Sequence, residues 1–175
     1  MRYSELKDSE FYHFFNLIEQ KKEKFNSNLT KLFLKTGGFQ EHIDIFLYIN
    51  KNIQIKKAEL FLERQWIGNK KSINPFGTDI SKGFINYFLP SNKDSEFKKH
   101  LVHDLFNLRG ENQVVIPLHQ AFRGFEESTP EIIPYLDVYR NTKKEISKTS
   151  KNFELFMQNI IQDQKERLLI SIKLF

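Results

Sequence analysis

Asp44 closes the run Gly37-Gly38-Phe39-Gln40-Glu41-His42-Ile43-Asp44, and Gln54 and Lys56 follow in Ile53-Gln54-Ile55-Lys56. An acid on one strand, with an acid or amide two residues before a lysine on the next, can hold a divalent cation beside a scissile phosphate. The metal would generate the nucleophile and stabilise charge on the phosphate, and Lys56 would orient it. Mg²⁺ or Mn²⁺ is the cofactor this chemistry needs. Read without chemistry, the same residues are two alternating strands with Gln54 and Lys56 on one solvated face. Asp44 then shares its face with Phe46 and Tyr48.

The run from Gly37 to Lys56 resembles the core of the PD-(D/E)xK nuclease superfamily, and the Gln54-x-Lys56 form is similar to its Mrr-like branch. That resemblance implies a metal-dependent nuclease. In it Asp44 is the metal-binding acid, Gln54 takes the usual Glu position, and Lys56 is the catalytic lysine.

A second cluster is His100-x-x-His103-Asp104. On a helix this spacing puts two imidazoles on adjacent turns of one face. Two ligands do not make a zinc site, and a third would have to come from His13, His42 or His119. No metal is assigned to it, and outside the nuclease reading no cofactor is expected.

The third feature is basic. Residues 51–100 hold ten Lys and Arg against five Asp and Glu, while each remaining stretch balances to within one charge. The whole excess of +5 therefore lies in this segment. Within it, Lys51, Lys56, Lys57, Arg64, Lys70 and Lys71 interleave with Phe61 and Trp66. Strand lysines beside an aromatic ring can hold phosphates while a base stacks on the ring. Alternatively the rings are core and the lysines guard a sheet edge. A fourth feature is Phe122-Arg123-Gly124-Phe125, a loop whose two rings could anchor a protein partner. There is neither a Gly-x-Ser-x-Gly elbow nor a glycine-rich phosphate loop.

These residues need elements to position them. Phe11, Phe14, Phe15, Ile18 and Phe25 fall on one face of a helix over 9–25. Strands are expected over 29–36, 42–49 and 53–66, as a meander, with a long loop at 68–83 and a strand at 84–89. A helix capped by Asp94 or Ser95 runs to about Leu108, and 114–116 is a short strand candidate. Helical patterns follow over 134–148 and 152–166, and alternation returns over 168–175.

The fold class expected is thus α+β: an N-terminal helix, an antiparallel meander, then helices and a C-terminal strand packed on one sheet. One domain accounts for 175 residues, and 18 phenylalanines predict an aromatic core. The absence of cysteine excludes disulfides, thiolate metal sites and thiol catalysis. A polar N-terminus and the lack of a long apolar run predict a cytoplasmic protein that does not enter a membrane. The function expected is a non-catalytic interaction or assembly subunit, with a protein partner or second copy, that contacts nucleic acid through 51–71.

Overall fold

Side chains that alternate along a strand face opposite ways, so a sheet covered on one side only sorts its residues by type. The computed structural model describes residues 1–38, 41–91, 95–113 and 128–175. It contains strands β1 (Ile18–Lys24), β2 (Leu29–Lys35), β3 (Ile43–Asn50), β4 (Ile55–Glu63), β5 (Glu145–Thr149), β6 (Phe153–Gln162) and β7 (Lys165–Leu174). All seven join one antiparallel sheet in the order β1-β2-β3-β4-β7-β6-β5. The C-terminal strand is therefore central, bonded to β4 on one side and β6 on the other.

Helices α1 (Tyr3–Lys7), α2 (Glu10–Phe14), α3 (Pro75–Phe88), α4 (Ser95–Asn107) and α5 (Ile133–Tyr139) pack with one sheet face. Ile43, Ile45, Leu47, Leu60, Leu62, Leu168, Ile170 and Ile172 point into this layer and are fully buried against Ile80, Phe84, Phe88, Leu101 and Leu105. No described helix is long and apolar enough to cross a membrane. The α+β class, the N-terminal helices, the meander and the C-terminal strand match the pattern read from the sequence.

Four segments differ from that reading. The helix expected over 9–25 stops at Phe14, because Asn16 turns left-handed at φ 45°. Residues 18–24 then form an edge strand, exposed at every position. The loop expected at 68–83 and the strand at 84–89 are instead mostly α3. Asn74 caps it, its side chain accepting from the Phe76 amide at 3.0 Å, and Pro75 occupies the first turn. Gly77 sits inside this helix because a Cβ there would lie 2.3 Å from the Trp66 carbonyl oxygen.

The helix expected over 134–148 ends at Tyr139. Asn141, at φ 63°, reverses the chain into the edge strand β5. The helix expected over 152–166 is strand β6. Its stripe divides between faces, Phe153 and Met157 being buried while Phe156 and Ile160 lie opposite Ser171 and Arg167. Asp163 and Gln164 both have positive φ, the backbone a two-residue hairpin needs, and they join β6 to β7. The strand candidate at 114–116 lies outside the described residues.

Candidate functional site

The three residues of the nuclease reading do not share a site. Asp44 pairs across the sheet with Phe61, five residues along β4 from Lys56 and seven from Gln54. At about 3.3 Å per residue those separations are roughly 17 and 23 Å. Gln54 is held in a tight turn, where its amide N–H donates to Asn50 Oδ1 at 2.9 Å and its Oε1 accepts from Asn50 Nδ2 at 3.1 Å. Lys56 is the extra residue of a bulge, since Ile55 faces Ile49 and Lys57 faces Tyr48. The register cannot bring a metal at Asp44 within reach of Lys56.

Asp44 is already engaged. Its Oδ1 accepts from Lys35 Nζ and its Oδ2 from Arg167 Nη1 at 2.7 Å. Neighbouring Glu63 accepts from Lys165 at 2.5 Å, contacts His42 Nδ1 at 2.8 Å and lies 3.8 Å from Arg167. Burial opposes the Glu63 carboxylate, but the bonds from Lys165 and His42 outweigh it and hold the carboxyl below its usual range. Three cations thus hold the two carboxylates, and Arg167 Nε is buried without a hydrogen-bond partner among the described residues. Of the histidine cluster, His103 touches its neighbour Asp104 at 3.1 Å and His100 approaches Glu96 at 3.8 Å. No group of three His, Asp or Glu is arranged to hold a metal among the described residues.

The basic segment is divided by β4 itself. Lys51, Lys56 and Lys57 lie at one end of the strand, and Arg64, Trp66, Lys70 and Lys71 beyond the other, about 26 Å away at the strand rise. Arg64 is a packing residue: its Nη1 donates to the Tyr139 carbonyl at 2.6 Å and its Nη2 to Asn159 Oδ1. Trp66 is half-buried between His42 and Phe76, with ring centroids 5.1 and 6.3 Å away. Lys70 pairs with Glu111 at 3.0 Å, and Lys71 is exposed. Phe122, Arg123 and Phe125 lie outside the described residues.

The sheet assembles something that sequence reasoning missed. No described helix covers the face opposite the core, and there Lys31, Tyr48, Lys57 and Lys173 stand in register across β2, β3, β4 and β7. Lys57 and Lys173 are directly opposite one another, a like-charge pairing that costs a sheet stability. Lys57 bonds to Glu59 at 2.6 Å, whereas Lys31 and Lys173 make no salt bridge among the described residues. Burial and then a hydrogen bond to Glu59 push the Tyr48 phenol upward.

Beside this row lies an aromatic step. Phe33 and Phe46 stack at 4.9 Å with planes 21° apart, and Phe61 meets Phe46 edge-on at 5.6 Å. Lys31 Nζ sits 4.0 Å above the Phe46 ring. Lys21, Glu23, Lys31, Phe33 and Phe46 line a depression of about 200 Å³. The loop ring of Phe25 packs on Tyr48 at 4.9 Å and remains half exposed. Comparison with protein-family models, curated proteins and solved structures finds no match.

Proposed function

We propose that this chain is a non-catalytic interaction module of a larger assembly, and that the sheet face no described helix covers binds single-stranded nucleic acid. The observation that carries the reading is the conjunction of the Lys31-Tyr48-Lys57-Lys173 row with the Phe33–Phe46 stack. Single-strand binders combine a cationic track for phosphates with rings on which bases stack. An antiparallel sheet with helices behind it can present both at once, because its residues stand on a rigid lattice about 4.8 Å between strands.

The contact proposed differs from the linear segment 51–71. Of those residues, Lys57 belongs to the face, Lys51 and Lys56 lie at its end, and Arg64 and Trp66 lie beyond the other end of β4. A metal-dependent cleavage reaction through Asp44 has little support, since both carboxylate oxygens already accept from cations.

Fluorescence anisotropy with labelled single-stranded DNA and RNA tests the proposal. Affinity is expected to fall as salt rises. Replacing Lys31, Lys57 and Lys173 together by glutamine should lower the slope of log K against log salt by about 2, at roughly 0.7 for each phosphate left without its lysine. Binding that ignores salt, or a slope unchanged in the triple variant, would sink it.

A further inference from the structure

A second site lies at the other end of β4, away from the lysine row. The 3-10 turn Arg64–Trp66, the Gly68–Ser72 hairpin, the start of α3 and the β6-β7 hairpin border a cleft of about 730 Å³. That volume is in the range of small-molecule sites. Its lining is mostly polar: Arg64, Asn69, Asn74, Asn141, Gln113 and Glu166 among others, with Ile73 and Pro75 as the apolar members.

The hydrogen bonds of the wall leave donors over. Asn69 Oδ1 accepts from the amides of Lys71 at 2.8 Å and Ser72 at 3.3 Å, and Asn74 Oδ1 from that of Phe76. Each amide oxygen is thus turned into the protein, and each side-chain NH2 has no bond to a described residue. Gln113 Oε1 accepts from the Ile73 and Gly110 amides and one Nε2–H donates to the Ile73 carbonyl. Arg64 donates to the carbonyls of Tyr139 and Gly68 and to Asn159, all neutral, and no carboxylate lies within salt-bridge distance of it among the described residues. Of its five N–H donors, Nε–H and one on Nη2 make no hydrogen bond to a described residue.

A half-buried guanidinium with no carboxylate in salt-bridge distance among the described residues, beside two amides whose NH2 groups are unbonded there, is chemistry for an oxyanion. The one carboxylate of the lining, Glu166, is exposed and stands at the hairpin. We propose that this cleft binds a small molecule through a phosphate group, with Arg64, Asn69 and Asn74 as donors.

Gly68 keeps the cleft wall in place. It sits at φ 85°, and a Cβ there would come 2.0 Å from the Ser72 carbonyl oxygen. The wall is therefore built with its backbone in direct contact, not as a loop that collapses on itself.

Inorganic phosphate is the probe. Titrated into the full chain and followed by backbone amide NMR, it should give saturable shifts at Gly68, Asn69 and Asn74, where chloride at equal ionic strength gives none. Glu166→Gln should tighten phosphate binding on the order of threefold to tenfold by removing one screened repulsion. Asn141→Asp, a substitution that tolerates the left-handed backbone, adds a carboxylate to the lining and should weaken binding by a similar factor. The variant lacking Lys31, Lys57 and Lys173 should bind phosphate here unchanged, which separates this site from the sheet face. Absent shifts, equal shifts with chloride, or affinities indifferent to Glu166 and Asn141 would each overturn the proposal.

Discussion

Replacing Arg167 by leucine is expected to destabilise the fold by about 3–5 kcal/mol, the loss seen when one partner of a buried ion pair is removed. The guanidinium is 11% exposed and lies between two carboxylates of β3 and β4. Without it, Asp44 and Glu63, 9% and 5% exposed, remain on the sheet with Lys35 and Lys165 as their cations. Those lysines place the effect at the lower end of the range. Urea denaturation at neutral pH measures it, and adding Asp44→Asn and Glu63→Gln should restore only part of the loss, because the two side chains, now neutral, no longer lack Arg167 but Lys35, 18% exposed, gives up its carboxylate. The pH dependence follows from Glu63. Its carboxyl is held below the ordinary value of 4.5, so its contribution is complete above that pH and is lost as pH falls through the folded value. Wild type should therefore lose stability in acid more steeply than Glu63→Gln.

The reading of the sequence succeeded where one period dominated. Residues 43–50 alternate Ile and Leu with Asp44, Phe46 and Tyr48, residues 57–63 alternate Ala58, Leu60 and Leu62 with Lys57, Glu59, Phe61 and Glu63, and both are strands. It failed where an apolar stripe fitted two periods. Phe153, Phe156, Met157 and Ile160 match a helix face, yet the sheet takes them alternately on its two sides. Phe11 to Phe25 failed for another reason: Phe11 and Phe15 are buried as the stripe requires, but Phe14 is 78% exposed, and one left-handed residue, Asn16, ends the helix. In α3 the signal was present, since Asn74-Pro75 is a helix start. Two glycines and several polar residues obscured it, and both glycines answer to packing, Gly77 against Trp66 and Gly83 against the rings of Phe11 and Phe15.

The candidate site was legible in its parts and not in its arrangement. Lys57 and the ring of Phe61 stand out in the sequence, but Lys173 joins Lys57 only because β7 inserts beside β4. That adjacency is a long-range property of the sheet, and alternation within a strand carries no information about it. The same limit applies to Asp44, Gln54 and Lys56. Their spacing is compatible with convergence until the hairpin register is known, and a turn at residues 50–54 places Asp44 far up the strand from both.

Replacing Phe33 and Phe46 together by alanine should weaken binding of a single-stranded oligonucleotide by about 1–3 kcal/mol, the range for loss of base stacking, which is roughly fivefold to hundredfold in affinity. The two rings are stacked on one another, so they offer one platform and are counted once. Removing them takes no cation from the face, so the salt slope should stay at the wild-type value while the affinity drops. The lysine variant has the opposite signature, a smaller slope with the platform intact. Phe156 stands on the same face in the same cross-strand row, separated from Phe46 by Glu59 and Ser171, so it serves as the comparison for loss of a ring outside the stack, and Phe156→Ala should leave affinity within about twofold of wild type. Circular dichroism checks that the sheet is retained. Equal losses in the Phe156 variant and the double variant would mean that general weakening of the sheet, and not stacking, sets the affinity. Unchanged affinity without Phe33 and Phe46 would remove the aromatic half of the proposed contact.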